Sequence, residues 1–162
     1  MKKLLFLCAF AFTLFAADVK FQTVAPSEAT LLQTGVQKQH CPTCGMDLVK
    51  FYKTSHAVKL KDGSYRHYCS IHCLVEEQEM GFLRDKKSSI AEILVADAKG
   101  LKMIPVQKAF YVIGSKIKGT MSGVSKYAFA TKQDAVEFQS ANGGKLGTYE
   151  DAYQASMDDF KN

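Results

Sequence analysis

The apolar positions of the chain come in short runs, and their period changes from one run to the next. Strand formers occupy Leu48-Val49-Lys50-Phe51-Tyr52 and then Ala57-Val58-Lys59-Leu60. Lys61-Asp62-Gly63-Ser64 follows with an Asp-Gly turn signal, so Tyr65-Arg66-His67-Tyr68 returns as the second arm of a hairpin. On that arm Tyr65 and His67 face one side, Arg66 and Tyr68 the other. Ser70 has the chemistry of a helix N-cap, because its hydroxyl can accept from an amide that the first turn leaves unpaired. Ile71, Leu74, Val75 and Gln78 continue at helical spacing to Met80, and Gly81 ends the helix. Ile90 to Ala96 reads as a strand.

The second half repeats this plan. Ala109 to Ile113 reads as a strand, Gly114 to Gly123 as a loop holding Met121, and Ser125 to Ala130 as a strand. Thr131, with Asp134 three residues on, caps a helix over Lys132 to Ala141 that Asn142-Gly143-Gly144 ends. Lys145 to Tyr149 is a short strand. Glu150 to Phe160 is a terminal amphipathic helix, with Ala152, Ala155 and Phe160 on its inner face. Residues 64–78 lie over residues 125–139 without a gap, at an offset of 61. Ser64, Val75, Glu76 and Gln78 recur as identities, and the cap Ser70 meets the cap Thr131.

The expected architecture is therefore α+β: two tandem ββαβ units, each a small antiparallel sheet with one helix packed on it, plus a C-terminal helix. The first unit spans 40–100 and the second 101–162. Residues 17–39 are polar, with Pro26 and Gly35, and read as a leader or linker.

Composition adds the compartment. Lys2-Lys3, the apolar run Leu4 to Phe15 and the small pair Ala16-Ala17 make a secretory signal over 1–16. The run is too short to span a bilayer. Cys8 sits inside it without the small residues that a lipoprotein box places before its cysteine, so Cys8 is read as part of the removed signal and the expected product is periplasmic. The formal charge is +5, of which Lys2 and Lys3 supply two. The remaining lysines are scattered among acids, and the chain has only two arginines, Arg66 and Arg84. That is a solvated surface and not a nucleic-acid footprint.

The chemistry is concentrated in two clusters. His40-Cys41-Pro42-Thr43-Cys44-Gly45-Met46 gathers two thiols, a thioether and an imidazole. His67-Tyr68-Cys69-Ser70-Ile71-His72-Cys73 gathers two more thiols at the start of the first helix. Cys-x2-Cys lets two sulfurs face one point on a tight loop. At a helix start the unpaired amides and the macrodipole favour a thiolate, the species that binds metal. The aligned positions in the second half are Ala130 and Asp134, so the scaffold does not need these thiols for packing. Cys41, Cys44, Cys69 and Cys73 could build a tetrahedral zinc site. The thioethers of Met46 and of Met121 suit Cu(I) better than zinc. His72 is the best placed of the histidines. In an oxidising compartment two disulfides are a further alternative. Cys-Pro-Thr-Cys lacks the strand–motif–helix setting of a thiol oxidoreductase.

Cys44-Gly45-Met46, the hairpin, and Tyr68-Cys69-Ser70 opening a helix resemble the NosL family of copper-binding accessory proteins of nitrous-oxide reductase. The second half is similar to the same family in Gly119-Thr120-Met121-Ser122-Gly123, in Tyr127-Ala128-Phe129-Ala130, in Asp134-Ala135-Val136-Glu137-Phe138 and in Gly143-Gly144-Lys145-Leu146. The resemblance covers roughly Cys41 to Tyr153. It implies an exported Cu(I) metallochaperone, not an enzyme, that hands copper to nitrous-oxide reductase and works with an ABC-type membrane complex. Carried across by position, Cys44 and Met46 fall in its Cys-Gly-Met motif, Cys69 in its Cys-Ser motif and Met121 at its loop methionine; Cys44 and Met121 are the first expected ligands, with Met46, Cys69, Cys41 and His72 next. Cys73 and His72 stand outside the familiar pattern, and Cys69-x3-Cys73 resembles the cysteine-rich metal-binding finger called TRASH. Zinc is therefore a second or alternative metal. The rival reading is a secreted binding module that zinc or disulfides stabilise, with no part in copper transfer.

Overall fold

The computed structural model describes residues 20–161. The expected signal peptide and Cys8 lie outside them. Strand β1 (His56–Leu60) pairs antiparallel with β2 (Tyr65–Tyr68) across the Lys61–Ser64 turn, where Asp62 Oδ1 accepts from the Ser64 amide at 2.9 Å. Helix α1 (Ile71–Glu79) follows, and Ser70 Oγ caps it by accepting from the Cys73 amide. Strand β3 (Ile90–Ala96) then returns to the free edge of β1, and β4 (Met103–Pro105) adds outside it, giving the order β2-β1-β3-β4.

The second unit follows the same path. Strands β5 (Phe110–Ile113) and β6 (Lys126–Phe129) form the hairpin, α2 (Lys132–Asn142) crosses, and β7 (Lys145–Gly147) pairs with β5. Its order is β6-β5-β7, the same as β2-β1-β3. Helix α3 (Tyr149–Asp159) closes the chain, started by a capping box between Thr148 and Asp151. The chain is thus α+β with two ββαβ units, and β2 with β6 and the first residues of α1 with α2 stand 61 positions apart.

The two hairpins differ in one respect that matters for the site. In the first, His56 pairs with Tyr68, twelve residues on; in the second, Phe110 pairs with Phe129, nineteen residues on. The seven additional residues swell the second connection into the loop that carries Met121.

Three features depart from the expected pattern. The strand formers at Leu48–Tyr52 make turns, with a 3-10 turn at Tyr52–Thr54. Asp47 Oδ1 accepts from the amides of Val49 and Lys50 at 2.8 and 3.1 Å, which curls the chain. Leu48 and Tyr52, four apart, are then both buried. Strand β4 is an element that the run Met103-Ile104-Pro105 is too short to announce. The polar segment after residue 20 has no helix or strand, yet it packs along both units. Phe21 meets the rings of Tyr127 and Phe138 at 5.2 and 5.5 Å, Val24 is buried with Tyr52 and Ala96, and Gln33 Oε1 accepts from the His67 amide at 2.9 Å.

The units share one interior. Ile71 and Val75 of α1, Val95 of β3, Tyr111 of β5, Ala128 of β6 and Ala152 of α3 form one buried cluster. Helix α1 consequently has its own sheet on one side and the second unit on the other, which fixes the end of the helix that bears the thiols.

Candidate metal centre

Three segments deliver the thiols. The turn after His40 supplies Cys41 and Cys44, and its shape follows from two backbone bonds. The Cys41 amide donates to the Met46 carbonyl, and the Gly45 amide to the Cys41 carbonyl, both at 2.8 Å. Gly45 has φ +74°, a conformation that a side chain would strain. The end of β2 supplies Cys69. The first turn of α1 supplies Cys73.

The four sulfurs of Cys41, Cys44, Cys69 and Cys73 lie within 4.8 Å of one another, and all four thiols are free. Cys44 Sγ is 3.4 Å from Cys69 Sγ, and Cys69 Sγ is 3.7 Å from Cys73 Sγ. A metal bonded to four sulfurs at about 2.3 Å requires tetrahedral edges of about 3.8 Å. The cluster is therefore the right size to enclose a soft cation with little rearrangement. Cys41, Cys69 and Cys73 are 2%, 0% and 0% exposed, whereas Cys44 is half-buried.

Electrostatics divide the three sealed thiols. Hydrogen bonds from the Cys69 and Cys73 thiols, together with the amides of Cys69 and Cys44, hold the Cys41 thiol far below its usual range despite burial. The Cys69 thiol is pushed far up, first by its bond to Cys41, then by Cys73 and burial. The Cys73 thiol is pushed up mainly by Cys41, with burial contributing. Without metal the cluster thus favours one buried thiolate stabilised by neighbouring thiols. A metal ion displaces the remaining protons as it binds.

The other expected ligands are placed as follows. Met46 is half-buried and packs on the same apolar cluster as Cys44. Met121 is 39% exposed, at the unusual φ of +57° for a residue with a side chain. Its neighbour Thr120 shares a 2.8 Å hydrogen bond with Thr54, whose hydroxyl donates to the Cys69 carbonyl at 2.8 Å. On its other side Ser122 bonds Lys126 and Asp159. The long loop is thereby pinned beside the segment that bears Cys69. His72 lies outside the group of four, with its ring on that of Phe160 at 4.3 Å. Burial lowers its pKa.

The remaining histidines have other work. Buried His56 accepts from the Tyr111 hydroxyl at Nε2 (3.0 Å) and donates from Nδ1 to the Thr54 carbonyl (3.1 Å). His67 donates from Nε2 to Ser55 Oγ at 3.0 Å and accepts from the Leu32 amide at Nδ1. Exposed His40 lines a groove of about 450 Å³ with Cys41, Pro42, Gly45 and Arg66 along the outer face of the turn.

The NosL family model matches residues 34–157. The chain belongs to the NosL family. The matched span takes in all four thiols, Met46, Met121 and both ββαβ units. Among solved structures, the crystal structure of the copper chaperone NosL from Shewanella denitrificans is 22% identical, covering 74% of this chain and 94% of that one, with a TM-score of 0.53. The solution NMR structure of apo-NosL from Achromobacter cycloclastes is 24% identical over 59% of this chain and 82% of that one, with a TM-score of 0.35. No curated protein sequence matches the chain.

The sequence named all four thiols that the fold brings together but not their polar surroundings. Thr43, between the two cysteines of the turn, directs its hydroxyl at Glu77 and at the Cys73 carbonyl. Glu77 pairs with Arg66 at 3.1 Å. The available signal was the spacing of Glu77, one turn beyond Cys73 on the same helix.

Proposed function

We propose that the chain is a periplasmic Cu(I) metallochaperone that serves the maturation of nitrous-oxide reductase. The observation that carries this reading is the convergence of four reduced thiols within 4.8 Å, three of them sealed and one half-open. Thiolates and thioethers are the donors that Cu(I) prefers, and a chaperone needs tight holding together with an accessible point of exchange. Cu(I) enters and leaves at Cys44. Cys41, Cys69 and Cys73 hold it, and Met46 and Met121 offer thioethers at the rim. A partner's donor displaces Cys44 first and then draws the ion out. Family membership and the Shewanella denitrificans copper chaperone support cargo of this kind. The copper acceptor would be nitrous-oxide reductase, reached with an ABC-type membrane complex. No helix among the described residues is long and apolar enough to cross a membrane.

Titration of the reduced protein with Cu(I) against a competing chelator tests the proposal. A dissociation constant far below micromolar, weakened in Cys44→Ser, is expected. A constant no tighter than micromolar and unchanged in Cys44→Ser overturns it.

One observation favours a second reading. Four thiols at tetrahedral spacing, mostly buried, also suit a structural zinc ion. In that case purified protein carries zinc, replacing all four cysteines with serine abolishes folding, and Met121→Leu leaves metal content unchanged.

A further inference from the structure

We infer that Glu77 is the positioning residue of the thiol centre, and that it sets how fast the centre releases its metal. This rests on reading the four thiols as the metal site. Glu77 is 8% exposed and stands one turn beyond Cys73 on α1. Its Oε2 accepts from Arg66 Nη2 at 3.1 Å, and Arg66 lies on β2, the strand that runs into Cys69. Arg66 Nε also donates to the Tyr68 hydroxyl at 3.0 Å, and the guanidinium lies over the Phe82 ring at 4.5 Å, so its direction is fixed. Glu77 Oε1 accepts from Thr43 Oγ1 at 3.3 Å. The same hydroxyl lies 3.4 Å from the Cys73 carbonyl, so its single proton finds an acceptor on α1 in either rotamer. One carboxylate thus ties together the cysteine turn, the strand into Cys69 and the helix of Cys73.

The second unit shows that this arrangement is not what the scaffold requires. Sixty-one positions on, Arg66 and Glu77 correspond to Tyr127 and Phe138. Those two rings simply pack together, 5.3 Å apart. An ion pair in a mostly buried place adds little stability over well-packed rings. It stands only in the unit that carries thiols, where a directed bond to Thr43 can hold the turn closed over the metal. Groups that orient metal ligands in this way typically change metal affinity about 10–100-fold when removed.

The test compares Cu(I) release to an excess of a chromogenic chelator from the wild type, Thr43→Val, Glu77→Gln and the double variant Arg66→Tyr/Glu77→Phe. The double variant installs the second unit's own ring pair. All should bind Cu(I) with wild-type stoichiometry and thiolate-to-copper absorption, yet release it about 10–100-fold faster. Thr43→Ser should retain the wild-type rate. So should Glu79→Gln, on the same helix but bonded to Lys87 and Tyr153. Wild-type release rates in both Glu77 variants overturn the inference, as does a lower melting temperature with unchanged release. Failure of the wild type itself to bind Cu(I) overturns the underlying reading and is seen before any variant is made.

Discussion

Cys44 and Cys69 place their sulfurs 3.4 Å apart across 25 residues of sequence, yet only Cys44 reaches solvent. Neighbouring thiols hold the Cys41 thiol far below its usual range, but it is sealed at 2% exposure. Alkylation needs both a thiolate and an approach path. Burial should dominate, because no reagent passes the closed turn. Brief iodoacetamide treatment of the reduced, metal-free protein should label Cys44 first, as read by peptide mass mapping. Loading with Cu(I) should suppress that labelling. Labelling of Cys41 ahead of Cys44 would mean that the turn opens faster than Cys44 reacts.

Thr54 and Thr120 join the Met121 loop to the metal segment. The Thr54 hydroxyl lies 2.8 Å from both the Cys69 carbonyl and Thr120 Oγ1, to either of which it can donate, and both threonines are buried. Thr54→Val leaves the carbonyl without this donor and should cost about 1–3 kcal/mol in urea denaturation. Thr120→Val should cost less, because it leaves the bond to Cys69 intact. Combined, the two should fall short of additivity by about 0.5–3 kcal/mol, since they share one network. Strict additivity would show that the loop is not coupled to Cys69.

Much of the fold was legible in the sequence because the elements carry local signals. Ser70 and Thr131 each cap a helix through their own hydroxyl, as read from the sequence, whereas Thr148, read as strand, proves to cap α3. The 61-residue offset returns as equivalent strands and helix starts. What escaped was tertiary or competitive. Leu48–Tyr52 has the composition of a strand, but the Asp47 carboxylate captures the amides that a ladder would have used. The segment from Phe21 to Leu31 looks dispensable by composition, and only the fold shows its few apolar residues landing in three separate clusters. The thiols were legible because cysteine chemistry is specific at short spacing. Glu77 was not, because a glutamate on a helix is ordinarily solvated, and its partners come from Thr43, 34 residues earlier, and from Arg66 on another strand.

His56 gives the fold a dependence on pH that is separate from the thiols. Its ring is fully buried between the Thr54 carbonyl and the Tyr111 hydroxyl, which joins β1 of the first unit to β5 of the second. Burial lowers its pKa to about 3; the Thr54 carbonyl opposes this, while nearby His67 adds to it. The unfolded chain takes up a proton on this residue near its ordinary value of 6.5, whereas the folded chain resists until about pH 3. The unfolded state therefore binds more protons throughout that window. Stability is fully present above pH 6.5 and falls with pH, at a rate approaching about 1.4 kcal/mol per pH unit between pH 6 and pH 4. His56→Gln should remove this one-proton share of the slope, whatever the remaining groups contribute. Urea denaturation of the reduced, metal-free wild type and variant from pH 4 to pH 7 measures the difference directly. Parallel pH dependences in the two proteins would show that His56 is protonated within the fold and that its bond to Tyr111 is not the one described.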